Sequence, residues 1–260
     1  MAGLNNFYTR VVSAVVLLAL FVGFCFLPPL WRLTALLFLM FSLWIEVTKV
    51  YLRSERRRSL KGRLVLGAAI GVSGVAFLGM GALSNSIPTF LYLCGVVIAT
   101  DSAAYIGGNL IGGPKLAPKI SPNKTWSGFG AGCVAAVVFA CCVHLFVPFD
   151  PKILGFFSGS LDMAFLGFAV LVSVLSQTGD LLESAAKRFL GVKDSGTLIP
   201  GHGGLWDRLD GYLFVFAPVG LLMVSAALLG MYWAISADPN APCPFGCDDL
   251  PTLEKPHQIH

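Results

Sequence analysis

Charge is what this chain of 260 residues has least of: Asp, Glu, Lys and Arg together make up 12% of it, against 56% hydrophobic residues. A water-soluble domain carries about a quarter charged residues. Half that density excludes a free globular protein, a disordered chain and a DNA-binding domain. A cysteine framework is missing too. The seven cysteines are an odd number, and Cys25, Cys94, Cys133, Cys141 and Cys142 lie in apolar stretches, where a thiol behaves as a small hydrophobe. That excludes a disulfide-rich secreted module. Cys243 and Cys247 lie in a polar tail with His257 and His260, at a spacing that fits no common zinc pattern. No small-residue cleavage site follows the apolar run Val11–Leu27, which ends in Pro28, Pro29 and Trp31. It reads as a retained first span rather than a leader.

What the chain does have is apolar sequence in lengths near the roughly 20 residues a helix needs to cross a bilayer. The candidate spans are Val11–Leu27, Leu33–Tyr51, Leu64–Leu83, Ile87–Ile106, Phe129–Val147, Met163–Thr178 and Tyr212–Ile235. The expected fold is therefore all-α, a polytopic integral membrane protein of about seven transmembrane helices. Its parts are N-terminal helices over 1–100, a catalytic transmembrane region over 101–235 and a polar tail over 236–260. With the N-terminus inside, the inner segments hold Arg10, the basic run from Arg53 to Arg63, Lys115, Lys119, Lys124, Lys187, Arg188, Lys193 and Arg208. The outer segments hold Arg32, Lys152 and Lys255 among Asp150, Asp162, Asp238, Asp248, Asp249 and Glu254. The positive-inside rule then puts the N-terminus in the cytoplasm and the C-terminus outside.

Two polar inner segments, 107–128 and 179–211, are the places for chemistry. In the second, Asp180, Ser184, Lys187 and Arg188 follow i, i+4, i+7, i+8 spacing and fall on one helical face. Lys193, Asp194 and Ser195 form a turn, and Gly201, His202, Gly203 and Gly204 allow close backbone approach to a ligand. Asp207, Arg208 and Asp210 then open the last span. Converging carboxylates suit Mg²⁺ that shares its shell with phosphate oxygens, and the interleaved cations suit the phosphates themselves. The combination describes phosphoryl or nucleotidyl transfer. The first segment adds Lys115, Lys119, Ser121, Lys124 and Thr125: phosphate contacts, or an ordinary basic loop with a hydroxyl capping a helix. Asp101 closes an uncharged stretch, and an acid at membrane depth is functional or paired by default. Gly67 with Gly71, and Gly128 with Gly132, read as helix-packing spacings.

The run Ser184–Arg188, Val192–Gly196, Pro200–Gly204 and Asp207–Asp210, with Asp101–Tyr105, Lys115–Pro118 and Ser121–Thr125 before it, resembles the signature of the phosphatidate cytidylyltransferases. Ser127 stands where that family often has glutamate, and Trp206 where it has a smaller aliphatic residue. The resemblance implies CMP transfer from CTP to phosphatidate, giving CDP-diacylglycerol and diphosphate, with Mg²⁺ and a second metal ion as an option. It implies Asp180, Asp207 and Asp210 at the metal and Lys187, Arg188, Lys193 and Arg208 on phosphates. Ser121, Lys124, Thr125 and Ser184 complete the pocket with Asp101, Asp194, His202, Gly203 and Gly204. The partners expected are CTP, membrane phosphatidate and a second copy of the chain in a homodimer, with no nucleic acid. The expected site is a bacterial inner membrane, with the C-terminus periplasmic. The alternative is a CTP- or ATP-dependent polyprenol or other lipid kinase, which makes the same demands for cations.

Overall fold

The computed structural model describes residues 2–146, 163–196, 198 and 203–236. They form helices α1 (Ala2–Phe26), α2 (Pro29–Arg53), α3 (Leu60–Leu83), α4 (Ile87–Leu110), α5 (Trp126–Phe146), α6 (Met163–Leu190) and α7 (Trp206–Ser236). A 3₁₀ turn, Glu55–Arg58, joins α2 to α3. The chain folds as a compact unit over Met1–Met223, and Val224–His260 forms a separate one. Six helices, α2 to α7, are long and apolar enough to span a membrane, and in α1 the apolar part is the shorter Val11–Phe26. This is an all-α multi-pass membrane protein.

Local chemistry sets the helix ends. Pro29 opens α2 at a position where a missing N–H costs nothing. Ser59 caps α3 by accepting from Gly62 N at 3.0 Å. At the other end of α6, Gly191 takes φ +79° and donates to Arg188 O at 3.1 Å, while Val192 N donates to Lys187 O at 3.0 Å. This pair of bonds with a left-handed glycine is a Schellman close, and it stops α6 just after its basic residues.

The buried face of α2 carries Arg32, Leu36, Leu43, Glu46, Val47 and Val50, while Phe38, Phe41 and Ile45 point outward. An apolar outer surface is what lipid solvates, so here the residues worth noticing are the buried polar ones. Close helix approach depends on glycine. A Cβ at Gly79 would collide with Phe216 O, one at Gly220 with Val75 O, and one at Gly95 with the Phe139 ring. Gly128 and Gly132 pack as expected, against Ala104 O and against Gln177 and Thr100. Gly67 and Gly71 do not: a Cβ at either meets nothing within 4 Å, and Gly79, two turns on, makes the close α3 contact instead.

The segment after α4 leaves the helical pattern. Gly112 (φ +68°) and Gly113 (φ +103°) turn the chain into an antiparallel hairpin of β1 (Lys115–Ala117) and β2 (Ser121–Thr125), with Lys115 opposite Thr125. It lies beside the polar end of α6, where Arg188 Nε donates to Ile120 O at 3.4 Å.

Candidate active site

A cavity of about 660 Å³ opens where α4, the hairpin, α5, α6 and the start of α7 meet. Its acidic wall comes from Asp101 on α4, Asp180 and Glu183 on α6, and Asp207 and Asp210 on α7; Lys115, Lys124, Lys187 and Arg208 supply the positive charge. Helix α6 makes this possible because its buried stripe changes chemistry along its length. Phe165, Ala169 and Val172 give way to Ser173, Ser176 and Gln177, then to Glu183.

Each of Asp180, Glu183 and Asp210 offers an oxygen within 4.8 Å of the others. Glu183 is 3% exposed; its Oε2 pairs with Lys187 Nζ at 2.9 Å, and its Oε1 is buried with no hydrogen-bond partner. A buried carboxylate oxygen left unsatisfied costs several kcal/mol, and a cation among the three would remove that cost. The donor set is oxygen only, which fits Mg²⁺. Lys124 Nζ reaches across from the hairpin to Asp180 Oδ2 at 2.6 Å, tying β2 to the same group.

Asp207 has a different environment. Its Oδ1 takes the Lys187 ammonium at 2.5 Å, and its Oδ2 accepts from Ser195 N at 3.2 Å and Gly204 N at 3.1 Å. Sequence reasoning grouped Asp207 with Asp180 and Asp210. The structure groups those two with Glu183, and sets Asp207 as the hub that holds Lys187 and the backbone amides of Ser195 and Gly204. Lys187 thus bridges two carboxylates, with its side chain only 12% exposed.

The other expected residues divide clearly. Asp101, Lys124, Thr125, Asp180, Lys187, Asp207, Arg208 and Asp210 line the cavity. Thr125 does so as a helix cap, its Oγ1 accepting from Gly128 N at 3.1 Å. Ser184 lies one turn behind Asp180 and donates to its Oδ1 at 3.4 Å. Arg188, Lys193 and Asp194 are exposed outside the cavity lining, and Ser121 begins β2 away from it. His202 lies outside the described residues, as do Cys243 and Cys247. Gly203 has φ +87°, a backbone shape that glycine adopts freely. Gly204 is required by the protein itself: a Cβ there would collide with Ser195 Oγ and Glu46 Oε1.

Two residues of this region were missed in the sequence. Glu183 shares the α6 face with Asp180 and Lys187 at i+3 and i+7, so helical spacing alone could have found it. Glu46 is an isolated acid inside an apolar helix, the same signal that singled out Asp101.

Residues 4–226 match the Cytidylyltransferase family. The chain is 40% identical to a phosphatidate cytidylyltransferase of Brucella suis biovar 1 (strain 1330), over 76% of this chain and 74% of that protein. It is 38% identical to the phosphatidate cytidylyltransferase of Staphylococcus haemolyticus (strain JCSC1435), over 61% of this chain and 60% of that protein. For the enzyme of the same name from Staphylococcus aureus (strain COL), the identity is 35% over 62% and 61%. With a match that runs from α1 into α7 and takes in every element that lines the acidic cavity, this chain belongs to the cytidylyltransferase family.

Proposed function

We propose that this protein is a phosphatidate cytidylyltransferase, moving CMP from CTP to phosphatidate and releasing diphosphate. The observation that carries this reading is the grouping of Asp180, Glu183 and Asp210 beside Lys124, Lys187 and Arg208 in one cavity at the ends of apolar helices. A phosphate oxygen of phosphatidate attacks the α-phosphorus of CTP. The new P–O bond forms as the bond to the β-phosphate oxygen breaks, and diphosphate carries the electron pair away. Both reactants are anions, so the site must offset their repulsion more than it must move a proton.

Asp180, Glu183 and Asp210 would hold Mg²⁺, with Asp207 beside them through Lys187. When bound, Mg²⁺ neutralises phosphate charge and stabilises the diphosphate as it leaves. Lys124 and Arg208 contact phosphate oxygens, while Lys187 keeps Glu183 and Asp207 at fixed separation. Lys124 also shares Asp180, so the hairpin moves with the group that binds metal. Lys193 and Arg188, both exposed, extend the positive rim where the triphosphate enters. The cavity opens to the cytoplasm of a bacterial inner membrane, where CTP is made and where the basic residues concentrate. The N-terminus is cytoplasmic and the C-terminus periplasmic.

The test uses purified full-length protein with phosphatidate, Mg²⁺ and CTP carrying ³²P at either the α or the γ position. Label from the α position is expected in the lipid fraction, and label from the γ position in diphosphate. The reverse pattern, γ-label in lipid, would make the protein a lipid kinase and end this reading.

A further inference from the structure

Glu46 is a carboxylate on the buried face of α2, 7% exposed among Leu43, Val47 and Val50. It lies far in sequence from every residue of the cavity. Burying a charge there costs several kcal/mol unless it is compensated, and the compensation is fully visible. Glu46 Oε2 accepts from Leu205 N at 2.9 Å, and Oε1 accepts from Trp206 N at 3.1 Å. These are the first amides of α7, which a helix cannot satisfy from within and which favour a negative charge. Ser195 Oγ lies 2.5 Å from Glu46 Oε1 and 3.0 Å from Asp207 Oδ2. Its single proton can serve only one carboxylate at a time, so Ser195 links the state of one to that of the other. One glycine agrees with this role. Gly204 leaves room for Glu46 and Ser195, since a Cβ there would collide with both, whereas a Cβ at Gly196 would make only ordinary contact with Glu46.

We propose that Glu46 is a positioning residue for the transfer reaction: it caps α7 from another helix and, through Ser195, sets Asp207 and hence Lys187. A continuous line of contacts supports this, from Glu46 through Ser195 to Asp207, then to Lys187 at 2.5 Å and to Glu183 at 2.9 Å. The same N-terminus carries Asp210 one turn further on. An α7 that slid or rotated at its start would separate Asp210 from Asp180 and Glu183. The proposal rests on the function assigned above, because the quantity it sets is catalytic geometry.

The experiment measures kcat and KM for CTP and phosphatidate with purified full-length enzyme in mixed micelles, normalised to folded protein by size exclusion. Glu46→Ala is expected to lower kcat by roughly tenfold to a hundredfold, the range for contacts within one network, with KM for phosphatidate within about twofold of wild type. Glu46→Gln keeps one accepting oxygen toward Ser195 and Trp206 but turns an NH₂ toward Leu205 N, so it is expected to be intermediate. Ser195→Ala is expected to add little in the Glu46→Ala background. A purely structural Glu46 would lower the yield of folded protein and leave kcat per folded molecule unchanged, and that result overturns the proposal. So do single effects that multiply in full. If Glu46→Ala does not fold, wild-type kcat in both Glu46→Gln and Ser195→Ala overturns it instead. Failure of the wild-type enzyme to move α-label into lipid would count against the assigned function, not against Glu46 alone.

Discussion

Lys187 is held between Glu183 and Asp207, and its removal would leave the buried Glu183 and half-buried Asp207 carboxylates facing each other. Breaking such a buried pair costs about 3–5 kcal/mol, so Lys187→Met is expected to lose both stability and activity, seen together in thermal unfolding and the transfer assay. Glu183→Gln should behave differently. It keeps the shape of the site and removes one anionic oxygen donor, so activity should fall about 10²–10³-fold, as it does when one preorganised electrostatic contact is lost. Direct titration with Mn²⁺, followed by electron paramagnetic resonance, should show weaker binding in Glu183→Gln, Asp180→Asn and Asp210→Asn. Retained wild-type affinity in all three would remove the group as the metal site. Chelation of the wild-type enzyme should abolish transfer, and added Mg²⁺ should restore it. At Gly204 the expectation is steric. Overpacking costs about 1–3 kcal/mol, and Gly204→Ala should lower both melting temperature and kcat, because the added carbon displaces Ser195 or Glu46.

At the level of elements, α6 is the organising helix: an apolar shaft whose last turns are acidic and basic, closed by Gly191. Its polar end was legible in the sequence because helical spacing puts Asp180 and Lys187 on one face. Arg188 was placed on that face too, yet it turns outward to the hairpin carbonyl of Ile120, since the i+8 position has rotated away from the cavity by the end of the helix. In the sequence the segment Lys115–Thr125 shows phosphate-contact chemistry or a basic loop with a capping hydroxyl, but no paired strands. Two short strands with Lys, Pro and Asn carry almost no strand signal of their own, and their pairing depends on Gly112 and Gly113 turning the chain. Where α3 meets α7, packing depends on Gly79 and Gly220. Gly79→Leu or Gly220→Leu should therefore reduce detergent-solubilised monodisperse protein and lower its melting temperature, whereas Gly67→Leu and Gly71→Leu, which face open space, should be tolerated.

For the molecule over Met1–Met223, the charged side chains of the cavity gather at the polar end of α6, while the outward faces of helices such as α2 expose apolar side chains. If that end faces the cytoplasm, Lys193→Cys in an otherwise cysteine-free chain should be labelled by an impermeant thiol reagent only from the cytoplasmic side; labelling from the periplasmic side alone would reverse the orientation. The sequence by itself determined the membrane class, the helices and most of their ends, because a bilayer forces apolar length and internal backbone pairing on any chain that crosses it. Helices α1 and α7 begin before their apolar runs, and α6 continues past its run to Leu190. The sequence also marked the two charged segments, 107–128 and 179–211, and both contribute side chains to the cavity. Only the tertiary structure decided how those charges are divided. Asp180, Glu183 and Asp210 converge on one point, while Asp207 is taken by Lys187, Ser195 and Gly204. Only it brought Glu46 from α2 to the start of α7. Spacing along one helix predicts neighbours on that helix; which carboxylates meet across helices depends on packing angles and on close approaches that local sequence does not encode.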